Sequence, residues 1–407
     1  MRLSEDIPDD VIRIDREIKH DEVVSFVKKM GYDKTPLILN VEGKKVAMNF
    51  VSTRERLCRY LGIERDQLAK YLSSLDYIDF EVEDFESTGM KKKLDLKDLP
   101  IIKYFPKDGG KYITAGVVIA PFNGKCNACI HRLMVKDNRL VARLVKPRHT
   151  YLLWEKAIRE GRELEVAIAI GVHPLVLFAS ATRVPEGEEF RYANALLRGK
   201  LKLYKYGKLL IPPAEIVILG RITAEMEREG PFVDITGTYD VVREQPVVEI
   251  DEILSVSNPI YYSITPASSE HQVLMGIPYE PVIYESVSRV CKVKNVVMSK
   301  GGMHYFHAIV QIEKHSEGDG KNAILAAFSA HHSLKHVVVV DEDIDIFNPE
   351  DIEYAIATRF QADKDLVMVK GARGSSLDPS SKDGITTKLG IDATMDITRR
   401  EAFERVR

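Results

Sequence analysis

Between residues 112 and 220 the chain is cut into short apolar runs separated by turn signals, which restricts its middle to a strand-rich fold. Residues 112–120, 128–135 and 140–145 read as consecutive strands, the last two joined at Asp137-Asn138. A helix is expected over 151–160, an apolar strand over 165–170 and a second helix over 188–198. Pro212-Pro213 then precedes a strand over 215–220. Strands with interspersed helices favour a barrel-like α+β domain.

A chain of 407 residues is longer than one growing core supports, so several domains are expected. Their expected spans are an α/β domain with a linker over 1–100, the strand-rich domain over 101–250, a second α/β domain over 251–394 and a charged tail over 395–407. In the first, runs at 37–41 and 45–50 meet at Glu42-Gly43 as a hairpin. Ser52 with Glu55 reads as a capping box for the helix carrying Leu57 and Tyr60. Residues 86–100, rich in Lys and Asp, read as the linker. In the third, strands at 293–298, 305–312, 337–340 and 365–369 alternate with helices at 322–332 and 349–359, which predicts a parallel sheet. The tail is expected to pack on a partner subunit.

Apolar content of 45% and charged content of 29% describe a soluble protein, and the net charge of −3 argues against nucleic acid as a partner. The apolar stretch 166–182 is broken at His173-Pro174 and is too short to span a bilayer. Residues 1–10 carry no secretory signal, and four scattered cysteines fit a reducing compartment, so a cytoplasmic enzyme is expected.

Two segments carry chemistry. Glu229-Gly-Pro-Phe-Val-Asp234 places two carboxylates across a bend, where one held against an apolar ring would favour its protonated form, as a general acid requires. Their bland reading is a pair of surface loop acids. Asn127-Ala-Cys-Ile-His-Arg132 supplies an arginine suited to gripping a substrate carboxylate. Cys126-Asn-Ala-Cys129 lacks the second pair a structural zinc site needs and reads as packing. Asp341-Glu-Asp-Ile-Asp345 resembles a calcium loop, but Ile346 and Ile352 stand where Gly and Glu are required, so it reads as an acidic turn. His331, His332 and His336 read as capping and packing. Arg143, Lys146, Arg148 and His149 form a basic stretch: either a solvated edge or a site for a phosphorylated ligand.

Together these segments resemble the UbiD family of decarboxylases, which use prenylated FMN. The resemblance rests on Asn127 with Arg132, on Val145-Lys-Pro-Arg-His149, on the helix opening at Glu189 and ending in Leu-Arg-Gly199, and on Glu229 to Asp234. Asp341 to Asp345 and Thr387-Lys-Leu-Gly-Ile-Asp-Ala-Thr394 complete it. It implies a central split β-barrel flavin-binding domain flanked by α/β domains. It also implies that Asn127, His149 and Glu189 hold Mn²⁺, with K⁺ as a second candidate cation. Ile130, His131, Arg132, Arg143, Leu144, Val145, Arg148 and His149 would line the flavin site, with Lys388 as a further phosphate contact. Arg132 would position the substrate carboxylate, Glu229 would orient Arg132, and Asp234 would deliver the proton that replaces CO₂. In two places the chain departs from the family pattern. Val233 stands at a usual glycine, which would stiffen or narrow the acid loop, and Glu188 competes with Glu189 as the metal ligand.

The chain length is similar to that of the compact archaeal branch, the anhydromevalonate phosphate decarboxylases, which release isopentenyl phosphate from a phosphorylated unsaturated acid. The implied partners are that small-molecule acid and a flavin prenyltransferase as cofactor supplier, with assembly into a homodimer or homohexamer and no membrane or nucleic acid. The alternatives are an aryl-acid decarboxylase of the 4-hydroxybenzoate type, a conventional FMN oxidoreductase, and a flavin-binding partner without catalysis. Against the oxidoreductase, no Gly-rich dinucleotide fingerprint follows a strand.

Overall fold

The computed structural model describes residues 1–405, which form two compact units. One comprises Met1–Leu61 with Asp76–His271, the other Gly62–Leu75 with Gln272–Arg407. The boundaries therefore fall elsewhere than at 100 and 250, and the helix Leu68–Ser73 groups with the C-terminal unit.

The first unit begins with a four-stranded sheet in the order Ile12–Ile18, Leu37–Val41, Lys44–Met48, Ile260–Tyr262. Its hairpin turns at Glu42 and Gly43, both at positive φ, which matches the twist of paired strands. The helix Arg54–Leu61 is capped by Thr53, whose Oγ1 accepts from the Arg56 amide at 3.2 Å. Ser52, the residue the sequence favoured, instead donates to the Lys34 carbonyl at 2.7 Å.

The centre of this unit is a nine-stranded antiparallel sheet. Its order is Tyr112–Ile113, Leu133–Lys136, Arg139–Ala142, Arg243–Ser255, Ile216–Glu229, Leu164–Ile170, Val117–Phe122 and Lys125–Ile130, with Lys92–Lys93 added against Arg243–Ser255. Among the described residues its two ends do not pair, so the sheet is open and no closed barrel forms. Ile216–Glu229 pairs along Arg243–Ser255 with register shifts after Leu219 and Ile222, and such bulges bend a long strand pair. At the first shift a Cβ on Gly220 would lie 2.2 Å from the Glu249 carbonyl oxygen, so only glycine fits.

Three expectations change here. The run 128–135 is two strands, broken at His131-Arg132 and paired with different neighbours. The strand expected to stop at Gly220 continues to Glu229, because beyond Gly220 its polar residues face outward, where Arg221 pairs with Asp251 and Glu225 with Arg139. Residues 86–100 are ordered rather than an open linker, with 3-10 turns at Phe85–Thr88 and Leu96–Asp98 that bury Phe85, Leu96 and Leu99. A helix that periodicity could not reveal, Pro174–Ala181, is buried on nearly every side; His173 caps it by accepting from the Leu175 amide at 3.1 Å.

The second unit holds a five-stranded sheet in the order Lys292–Met298, His307–Glu313, His336–Asp341, Ile385–Ala393, Leu366–Arg373. The two inner pairings are parallel and the two outer ones antiparallel, so the sheet is mixed rather than parallel throughout. The acidic turn after His336–Asp341 is neutralised by Arg359, which donates to Asp341 at 2.9 Å and to Asp343 at 2.9 and 2.6 Å. His331 stacks on Tyr279 with ring centroids 3.7 Å apart, a packing role. The tail folds back on its own unit: Arg400 donates to the Lys314 carbonyl and Arg405 pairs with Asp351. Residues 406–407 lie outside the described residues. Among the described residues no helix is long and apolar enough to cross a membrane.

Arg359 and Asp341 are both almost wholly enclosed. Arg359→Ala strands a buried carboxylate and is expected to destabilise the protein by about 3–5 kcal/mol. Denaturant unfolding, with a distant surface Arg→Ala variant as control, measures the loss.

Candidate active site

Arg132 sits at the break between Lys125–Ile130 and Leu133–Lys136, where leaving the strand frees its side chain to turn inward. Its Nε and Nη2 donate to the two oxygens of Glu229, each at 3.0 Å, in a bidentate pair. Glu229 ends the long strand Ile216–Glu229 and is 0% exposed. The Tyr112 hydroxyl also donates to Glu229, at 3.1 Å, and burial with that nearby charge pushes the tyrosine hydroxyl's pKa well up. The Phe232 ring lies 4.7 Å from the Arg132 guanidinium carbon and 4.5 Å from the Tyr112 ring, closing the pair off from water.

The bend Gly230-Pro231 then carries the chain around Arg132. Gly230 has φ +98, and a Cβ there would meet the Val241 carbonyl oxygen at 3.2 Å. Gly109 packs against it so closely that a Cβ would lie 2.2 Å from the Gly230 oxygen. Asp234 reaches Arg132 Nη1 at 3.4 Å, which brings together the arginine and both acids that the sequence singled out. Val233 lies in a two-residue strand, Phe232–Val233, paired with Tyr239–Asp240. It is extended and buried there, so its side chain packs rather than narrowing the loop.

That pairing delivers an acid the sequence reading missed. Asp240 accepts from Arg132 Nη2 at 3.0 Å and pairs with Arg243 at 2.6 Å. Burial alone would raise its pKa, but the two guanidinium groups outweigh burial and hold it below the usual carboxylate range. The available signal was the glycine turn at Gly237, which folds 239–240 back on 232–233. His271 is a second omission: its Nδ1 accepts from the Ala267 amide at 3.1 Å, and burial lowers its pKa near Asp234 and Arg132.

A separate cluster forms on the strand Lys125–Ile130 and just beyond it. Asn127, Cys129 and His131, at alternate positions, meet Thr150 in the helix His149–Arg159. Asn127 Nδ2 donates to Thr150 Oγ1 at 3.1 Å, and Cys129 Sγ lies 3.0 Å from His131 Nε2. Burial opposes charge on both, yet their mutual attraction lowers the thiol pKa and raises that of the imidazole. Cys126 instead accepts from the Leu210 amide and does not join Cys129. His131 is thus turned into the domain, its Nδ1 at 3.0 Å from the Arg143 carbonyl.

Glu189 opens the helix Glu189–Leu196 and is buried; burial pushes its pKa up to about 8, and its Oε2 has no hydrogen-bond partner. Glu188 pairs with Lys125 and with Arg191, which separates the roles of the two adjacent acids. His149 opens its helix half-buried. Among the described residues no three His, Cys, Asp or Glu side chains form a metal-holding group. Leu144 is buried, Ile130 and Arg143 are half-buried, and Val145 and Arg148 are exposed. Lys388 lies in the other unit, donating to the His332 and Leu334 carbonyls at 2.7 and 2.8 Å; burial lowers its pKa to about 8.

Three domain models of the 3-octaprenyl-4-hydroxybenzoate carboxy-lyase (UbiD) family match the chain: the N-terminal domain at residues 8–75, the Rift-related domain at 81–269 and the C-terminal domain at 272–393. The chain is 61% identical over 399 residues to an anhydromevalonate phosphate decarboxylase of Archaeoglobus fulgidus, covering 97% of this chain and 93% of that one. It is 50% identical to the protein of that name from Methanosarcina mazei, covering 91% and 90%. Among solved structures, the UbiD-class enzyme HmfF from Pelotomaculum thermopropionicum in complex with FMN superposes with a TM-score of 0.93 at 37% identity, covering 98% of this chain and 94% of that one.

The burial of Glu229 makes the Arg132 pair a stability element as well as a chemical one. Arg132→Met is expected to lower stability by about 3–5 kcal/mol by stranding that carboxylate. Adding Glu229→Gln should recover more than half of the loss in thermal or denaturant unfolding, because the neutral amide removes the uncompensated charge.

Proposed function

Because this chain belongs to the UbiD family of carboxy-lyases, we propose that it decarboxylates trans-anhydromevalonate 5-phosphate to isopentenyl phosphate and CO₂ with prenylated FMN. The observation that carries this reading is Arg132 held by Glu229 with Asp234 beside it, in a chain so similar to decarboxylases of that substrate. An open nine-stranded sheet bent by two register shifts supports a split-barrel flavin domain. The chemistry runs in a cytoplasmic setting, and assembly into a homodimer or homohexamer is carried over from the resemblance.

The residues present fit the cofactor and a metal. Glu189 offers a buried carboxylate oxygen without a partner, which a divalent cation would satisfy. With the Asn127 amide oxygen and the His149 imidazole it makes the hard, mixed set suited to Mn²⁺. Ile130, Leu144 and Val145 offer apolar surface, and Arg143 and Arg148 offer charge for phosphate groups of cofactor and substrate.

Losing CO₂ from a vinylic carbon leaves an electron pair that a bare enzyme cannot stabilise, and the prenylated flavin supplies the electron sink. Arg132 grips the carboxylate. Glu229, fixed by Tyr112, holds the guanidinium plane in place. The bond to the carboxylate carbon breaks, CO₂ leaves, and Asp234 in its acid form gives its proton to the carbon left behind. Solvent then reprotonates Asp234.

The deciding experiment co-expresses the protein with a flavin prenyltransferase, supplies Mn²⁺ and follows products by mass spectrometry. Isopentenyl phosphate from trans-anhydromevalonate 5-phosphate is the expected result. Phenol from 4-hydroxybenzoate instead would move the substrate to aryl acids. Asp234→Asn is expected to lower turnover about 10²–10⁴-fold with flavin content unchanged, and full activity would refute its role. Glu189→Gln is expected to lower flavin and manganese retained through gel filtration, read by absorbance and elemental analysis; unchanged contents would remove it from the metal set.

A further inference from the structure

Arg132 has five N–H groups, and four hydrogen bonds to its own chain take all but one on Nη1: two to Glu229, one to Asp234 and one to Asp240. Both hydrogens of Nη2 are taken, so a substrate carboxylate can grip Nη1 and Nη2 together in a bidentate fork only by taking the place of one of those acids. Glu229 cannot leave, because it is fully buried and anchored by Tyr112. Asp234 is the proposed proton source, and its Oδ1 is fixed by the Ile235 amide at 2.7 Å.

Asp240 differs from both acids in its second partner. It holds a second cation, since Arg243 Nη1 lies 2.6 Å from the same oxygen that faces Arg132. Releasing Arg132 would therefore leave its charge still paired. It is also carried on the short hairpin 232–240, whose neighbours Tyr239, Val241 and Val242 are exposed to solvent.

We propose that Asp240 is a stand-in for the substrate carboxylate, occupying Arg132 in the free protein and yielding that position to the incoming acid while it stays on Arg243. It is a positioning residue that governs binding of the carboxylate and leaves the bond-breaking step to Arg132 and Asp234. Two consequences follow from competition for one guanidinium. Weakening Asp240 should tighten substrate binding. Weakening Arg243, which gives Asp240 somewhere else to go, should loosen it.

This inference rests on the decarboxylase reading, so its test has an arm that needs no turnover. In the holoenzyme, Asp240→Asn is expected to lower KM about five- to tenfold with kcat little changed, and Arg243→Gln to raise KM by a similar factor. The double variant should behave like Asp240→Asn, because the carboxylate that Arg243 acts on has gone. A merely structural role would move both single variants in the same direction. Equilibrium binding of 3-methylbut-2-enoate to the flavin-loaded protein, by calorimetry, should follow the same order. A fall in kcat without a fall in KM for Asp240→Asn, or an Arg243→Gln effect that survives in the double variant, overturns the proposal. If the wild-type protein turns over no acid tested, the decarboxylase reading fails by itself. The calorimetric order still decides Asp240: tighter binding by Asp240→Asn supports it, and equal or weaker binding overturns it.

Discussion

The bidentate pair between Arg132 and Glu229 is the constraint around which the first unit is arranged. Removing two charges from water is repaid only if geometry is good and the remaining lone pairs and N–H groups find partners. Here Tyr112 satisfies Glu229, Asp240 and Asp234 take two of the three remaining N–H groups of Arg132, and Phe232 covers the guanidinium face. Tyr112 comes from a distant stretch of chain, whereas Phe232, Asp234 and Asp240 lie on the hairpin that follows Glu229. The pair therefore dictates where the strand breaks at His131-Arg132, how far Ile216–Glu229 must run, and why two glycines, Gly109 and Gly230, meet back to back.

Alternation along one strand then separates two kinds of chemistry. Asn127, Cys129 and His131 point to the helix His149–Arg159 and meet at Thr150. Arg132, just past the strand, turns to the acids instead. The set that meets Thr150 and the arginine that meets the acids thus lie within six residues without sharing side-chain partners. The Cys129–His131 pair belongs to the first set, and neither side chain contributes to the Arg132 network.

The second unit uses the same logic at its acidic turn. Arg359 brings three hydrogen bonds to Asp341 and Asp343 at the end of a buried parallel strand, so a turn crowded with acids needs no bound cation. The outer antiparallel strands Lys292–Met298 and Leu366–Arg373 finish a sheet whose interior pairings are parallel.

Local patterns determined much of this by themselves. The hairpin at Glu42-Gly43, the helix Pro349–Arg359 and the carboxylates flanking the Gly-Pro bend follow from turn chemistry, period and residue type within a short window. Three features needed the tertiary structure. Pro174–Ala181 is buried so completely that no amphipathic period marks it. Glu188 and Glu189 are neighbours of one residue type, and only packing sends the first to Lys125 and Arg191 and leaves the second buried without a partner for Oε2. Asp240 reads as an ordinary loop acid until strand pairing folds it onto Arg132. Sequence sets which side chains are chemically able to act; long-range pairing sets which of them share a guanidinium, because that depends on contacts about a hundred residues apart that no local window contains.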